Sequence, residues 1–136
     1  MAGFIFNVGS EGLTSGGSIN WTGDTIRVRP VLTTQTLDPD STVMTGLGVT
    51  GYDVTVGTRT KAKVDATNRV AFSFPSFAFP AVLAGVGQVN QFIVFKFVTN
   101  DAASIPISVV DMTPTTPNGA DINVTVNALG AFYLQQ

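Results

Sequence analysis

The segment Thr58-Arg-Thr-Lys-Ala-Lys-Val-Asp-Ala-Thr-Asn-Arg-Val-Ala-Phe-Ser-Phe74 decides the fold class. Its second half alternates strictly, with Val70, Phe72 and Phe74 against Ala71 and Ser73. Period two is the signature of a strand with one buried face. Asp65-Ala-Thr-Asn68 before it is turn chemistry, because Asp and Asn bond their own backbone and Asn tolerates the left-handed region. The first half carries Lys61 and Lys63 on one wet face. Thr58 to Phe74 therefore reads as a β-hairpin. The wet face extends back through Asp53 and Thr55, so Tyr52 to Val64 reads as one long strand, with a bulge at Gly57.

The same pattern recurs outward from the hairpin. Phe92 to Val98 is apolar everywhere except Lys96, as expected of a central strand covered on both faces. Exposed, it would aggregate, and Lys96 reads as a gatekeeper. Ile105 to Met112, Asp121 to Asn127 and Phe132 to Leu134 read as further strands, and Asn100 to Ala103 as a turn. Thr113 to Gly119 is a turn-rich loop. Upstream, Asp24 to Leu32 places Ile26 and Val28 on one face and Arg27 and Arg29 on the other. Pro30 lacks a ladder donor and points to an edge or a break. Phe4, Phe6 and Val8 share a face of a short first strand. Ser10 is placed to cap one helical turn, which Gly16 and Gly17 stop; an extended run resumes at Ser18 to Trp21. The expectation is an all-β chain: a two-sheet antiparallel sandwich, jelly-roll or immunoglobulin-like, in one domain spanning 1–136. At most one short helical turn is expected, near residues 10–15.

Composition agrees. The chain has 18 Thr and 18 Val, one Glu and three Lys. β-Branched residues favour a pleated sheet, and the exposed helix formers are scarce. There is no His and no Cys, which excludes a Ser-His-Asp triad, a Cys-His dyad, thiol chemistry and His- or Cys-ligated metal. A net charge of −2 leaves no basic footprint for nucleic acid or an anionic membrane. No apolar run reaches the length of a membrane span, and the opening residues lack a secretory pattern. Only 12% of residues are charged, so the surface is weakly defended against association.

The candidate sites are few. Asp38 and Asp40 offer oxygens to a hard cation, but the spacing fits a plain Asx turn better. Asp111 and Asp121 offer a carboxylate pair across the 113–120 loop, with nothing in the sequence to raise either pKa. Arg27, Arg29, Arg59 and Arg69 form a basic strip, a solvated face, or partners for Asp53 and Asp65. Phe77 and Phe79, bounded by Pro75 and Pro80, are either core or an exposed apolar patch. No cofactor is expected.

Several segments, in order, resemble the small virion-associated structural proteins of tailed bacteriophages. They are Phe4-Ile-Phe-Asn-Val-Gly9; Gly17-Ser-Ile-Asn-Trp-Thr-Gly-Asp-Thr-Ile-Arg-Val28; Thr50-Gly-Tyr52; Asp65-Ala-Thr-Asn-Arg69 before an aromatic strand; Pro117-Asn-Gly-Ala-Asp121; and Gly130-Ala-Phe-Tyr-Leu134. The likeness spans nearly the whole chain and departs at Gln35 to Val49 and Pro75 to Val89. It implies a non-enzymatic part of a virus particle, made in the bacterial cytoplasm. The first expectation is a decoration (cement) protein on the outer surface of the head. Its partners would be the major capsid protein and itself, as a dimer or trimer, with no nucleic acid and no membrane. A tail, baseplate or fibre-attachment component is the alternative. A carbohydrate- or host-surface-binding module using Trp21 and Tyr52 is another. The residues expected at an interface are Phe4, Phe6, Phe77, Phe79, Pro80, Phe132 and Tyr133, with the segments Gly3 to Val8 and Ala131 to Gln136 reaching neighbouring subunits.

Overall fold

The structure, a computed structural model, describes residues 3–14, 16–127 and 130–135. Ser15 of the expected helical turn and Gln136 of the terminal segment lie outside the described residues. The chain is mostly β, with antiparallel sheets and one short helix. Its elements are β1 (Phe4–Ile5), α1 (Asn7–Leu13), β2 (Ile26–Leu32), β3 (Val54–Thr55), β4 (Thr60–Val64), β5 (Arg69–Ser73), β6 (Phe77–Phe79), β7 (Val89–Lys96), β8 (Ile105–Thr115), β9 (Ile122–Val124) and β10 (Phe132–Gln135). Five strands form one sheet in the order β1-β8-β7-β2-β3. Three more form β10-β5-β4, and β6 pairs with β9.

The central strand is β7, as its unbroken apolar run requires. Every residue from Gln91 to Phe95 is buried. Its two faces feed two different cores. Phe92 and Val94 meet Ile26, Val28 and Ile107 from the same sheet. Phe72, Phe74, Phe79, Ile122, Val124 and Phe132 from the smaller sheets close over them. On the other face, Ile93 and Phe95 pack with Phe6, Val31, Leu37, Met44 and Val109. Helix α1 and the 33–49 segment cover that side.

The expected hairpin forms from β4 and β5, with Val64 opposite Arg69. A 3-10 turn at Asp65–Thr67 ends on Asn68 at φ 52°, the left-handed position that Asn accepts most readily among non-glycine residues. At Pro30 the strand does not break: it lies opposite Phe92 in the β2–β7 ladder. Its carbonyl accepts the Val49 N–H at 2.8 Å, on the side that β3 no longer reaches. A residue's N–H and C=O share one side of a strand, so the missing donor faces away from β7 and costs the ladder nothing.

Four local expectations are corrected. The first strand stops at Ile5. Phe6 turns into the second core, and α1 begins at Asn7, earlier than Ser10. The helix lies close against β8: a Cβ on Gly9 would sit 2.5 Å from the Ile107 carbonyl oxygen. Alternation through Phe4, Phe6 and Val8 masked this change, because all three residues still pack on one core. Ser18 to Trp21 forms no strand: Ser18 is a bend, Ile19 and Asn20 are irregular, and Trp21 opens a turn. Tyr52 to Val64 is not one strand: β3 belongs to the large sheet and β4 to the three-stranded one. Between them Arg59 holds the crossing, donating to the carbonyls of Trp21, Val56, Gly57, Thr22 and Asp24. Finally, β8 runs on to Thr115, while β9 spans only Ile122–Val124.

Candidate interface

A groove of about 480 Å³ lies where the five-stranded sheet and the three-stranded sheet part. One wall is β1 with the middle of β8, from Gly3 to Ile5 and Ser108 to Asp111. The other is Thr125 to Asn127 and Gly130 to Tyr133, with Phe92 among the lining residues. Both terminal strands are therefore at its lips, and each is the edge of its own sheet. Asp111 anchors the β1 wall: it accepts from the Gly3 N–H at 3.1 Å and from Gln91 Nε2 at 2.8 Å. Ser108 Oγ donates to the Phe4 carbonyl at 3.1 Å. On the β10 wall, Phe132 stacks on Phe72 at 5.1 Å, and the Arg69 guanidinium lies 3.6 Å above the Tyr133 ring. Both walls are thus held from beneath by contacts that order β1 and β10.

The seven residues expected at an interface separate into three places. Phe4, Phe132 and Tyr133 line the groove. Phe6 and Phe79 are fully buried, and Phe77 packs edge-on against Phe79 and Phe92 at 5.1 and 5.2 Å. The proline-bounded phenylalanines therefore lie in or against the core, because β6 pairs with β9 and turns them inward. Pro80 is exposed, at the start of the loop that carries Leu83. Leu83 itself was not singled out by the sequence, yet it is 63% exposed, the most exposed large apolar side chain among the described residues. Its loop is tied down by Ala81 N–H to Asp121 Oδ1 at 2.8 Å and by Gly119 N–H to the Val82 carbonyl at 2.8 Å. The only sequence signal was an apolar run between Pro80 and Gly85, which reads equally as core.

The other candidate residues have structural partners. Asp38 Oδ1 accepts the Asp40 N–H at 2.9 Å, the expected Asx turn, and Asp40 accepts from Asn7. Among the described residues no three His, Cys, Asp or Glu cluster as metal ligands. Asp111 and Asp121 are engaged separately, on Gln91 with Gly3 and on Ala81. Trp21 is 2% exposed and donates its indole N–H to the Thr60 carbonyl at 2.9 Å, and the Tyr52 hydroxyl accepts from the Leu83 N–H. Lys96 pairs with Asp24 at 3.2 Å and donates to the Ser18 carbonyl.

The four arginines do not form a strip. Arg59 is spent on carbonyls, as above, while Arg27 and Arg69 lie over Phe97 and Tyr133. Arg29 is buried and forks between two carboxylates. Its Nε and Nη2 reach Asp53 at 2.7 and 2.9 Å, and its Nη1 and Nη2 reach Asp101 at 3.1 and 2.8 Å. Burial works against its charge, but the hydrogen bonds and attraction of Asp53 and Asp101 outweigh it. The guanidinium is held protonated, above its ordinary pKa. The pairing with Asp53 follows one of the sequence readings; Asp101 was not anticipated.

No known family matches the chain, and neither a curated protein nor a solved structure matches it.

Proposed function

We propose that this chain is a structural protein of a tailed-bacteriophage particle. It decorates the outer surface of the head, binds the major capsid protein, and works as a closed homo-oligomer. We read the fold as a two-layer β-sandwich of the jelly-roll or immunoglobulin-like type, since one core is shared by the large sheet and both smaller ones. The observation that carries the reading is where the residues of the phage-protein resemblance fall. Gly9 permits the close approach of α1 to β8. Trp21 packs edge-on against Phe72 and Phe132 at 5.5 and 5.3 Å. Asp24 accepts from the Asn20 N–H at 2.7 Å and pairs with Lys96. Asn68 takes the left-handed turn position. These positions are framework, spread across the chain, so the resemblance supports a shared architecture rather than a chance likeness of one turn. The surface fits a particle subunit as well: it is poor in charge and leaves Leu83 outside a well-tied loop.

The carbohydrate-binding reading is disfavoured at Trp21, which lies in the core, while Tyr52 is half-buried with its hydroxyl at the Leu83 loop. The tail or baseplate reading shares every feature above and differs in copy number. Mass-spectrometric quantification against the major capsid protein in purified particles separates the readings. A copy number equal to that of the capsid protein, or a simple fraction of it, is expected for a head decoration. A value lower by more than an order of magnitude transfers the chain to the tail, and complete absence from particles refutes the virion assignment.

A further inference from the structure

We propose that β10 is a self-association edge: two copies pair their β10 strands antiparallel across a two-fold axis, joining two three-stranded sheets into one of six. This deepens the homo-oligomer part of the proposed function. It is tested on the isolated protein, so its failure and that of the virion reading are distinguishable.

The three-stranded sheet has two unlike edges. In the order β10-β5-β4, both outer strands present a row of backbone donors and acceptors to the outside. They are treated differently. The β4 edge, Thr60-Lys-Ala-Lys-Val64, is exposed along Thr60 to Lys63 and carries two lysines. A two-fold axis through Ala62 would set Lys61 of each copy opposite Lys63 of the other. Like charges directly opposite are destabilising, so this edge is guarded against a second copy of itself.

The β10 edge has no such guard. Phe132-Tyr-Leu-Gln135 carries no charge, proline or glycine. A two-fold axis through Leu134 sets Leu134 opposite its own copy and Tyr133 of each copy opposite Gln135 of the other, and no like charges meet. The nearest cation, Arg69, stands one strand inward over the Tyr133 ring. The strand is already ordered: it is in register with β5 from Phe132 to Gln135, and Phe132 is buried against Trp21 and Phe72. Little conformational freedom remains to be lost when a second copy docks, which favours association. The groove beside this edge leaves space next to Phe4 and Ile5, the free edge of the other sheet. Antiparallel edge pairing is self-complementary, so the assembly closes at two copies instead of growing into a fibre. The lysines of β4, left at both ends of the six-stranded sheet, stop further addition.

The test is sedimentation velocity of the full chain over a concentration series, with Leu134→Lys as the variant that copies the β4 guard. The wild type is expected to dimerise. The variant is expected to weaken the dimer at least about tenfold while its far-UV circular dichroism is unchanged. A monomer at every concentration overturns the proposal, and so does a dimer that Leu134→Lys leaves intact. Amide hydrogen exchange on the wild type needs no variant. Protection within Phe132–Gln135 must rise with protein concentration while that of β4 does not; concentration-independent exchange in β10 overturns the pairing.

Discussion

Replacing Arg29 by methionine keeps most of the side-chain volume and removes the cation that faces both Asp53 and Asp101. Arg29 makes two bonds to each carboxylate and a fifth, at 3.1 Å, to the Leu47 carbonyl. These contacts tie β2 to the chain before β3, to the 99–104 turn and to the 45–49 segment, none of which is adjacent to it in sequence. Breaking a buried ion pair by removing one partner costs about 3–5 kcal/mol, because the other charge is left without compensation. Here the Asp53 side chain is 19% exposed and that of Asp101 34%, so water rehydrates part of the orphaned charge. The lower end, about 3 kcal/mol, is therefore expected. For a chain of this size that corresponds to a fall in Tm of roughly 10 °C, at about 3 °C per kcal/mol. Urea unfolding reads it directly, because Trp21 is the sole tryptophan and is buried, so its emission shifts on unfolding. A cycle with Asp53→Asn isolates the pair, with an expected coupling of about 1–3 kcal/mol. A loss below about 1 kcal/mol for Arg29→Met, or zero coupling with Asp53, would refute the view that this cation locks the three segments together.

Two smaller perturbations test the local reasoning. Gly9→Ala drives a methyl group against the backbone of Ile107 at 2.5 Å, so α1 must lift from β8; a loss of about 1–3 kcal/mol in urea unfolding is expected, and an unchanged midpoint would show that the helix is free to shift. At Asn68, with φ 52°, substitution by Ala is expected to cost about 1–2 kcal/mol and by Gly much less, so equal melting temperatures for the two variants would contradict the left-handed turn.

The strands that proved legible from the sequence are those whose faces are set by near neighbours. Alternation placed β5, a run apolar on both faces placed β7, and the Asp65–Asn68 turn set the hairpin register. Of the interface residues, Phe4, Phe132 and Tyr133 reached the groove because the terminal strands are edges. Phe77 and Phe79 did not, because which face of β6 is covered depends on its pairing with β9, more than forty residues away.

By itself the sequence determined that this is a β chain without thiol or imidazole chemistry, with a hairpin at its centre and a buried strand at Phe92. Such properties follow from residue type and period, which act over a few residues. The tertiary structure alone decided that Tyr52 to Val64 crosses between sheets, that Arg59 binds the carbonyls at that crossing, and that Arg29 meets Asp101. It also decided that one edge of the three-stranded sheet is lysine-guarded while the other opens on a groove. Each of these depends on which distant segment supplies a partner, and local periodicity carries no record of that choice.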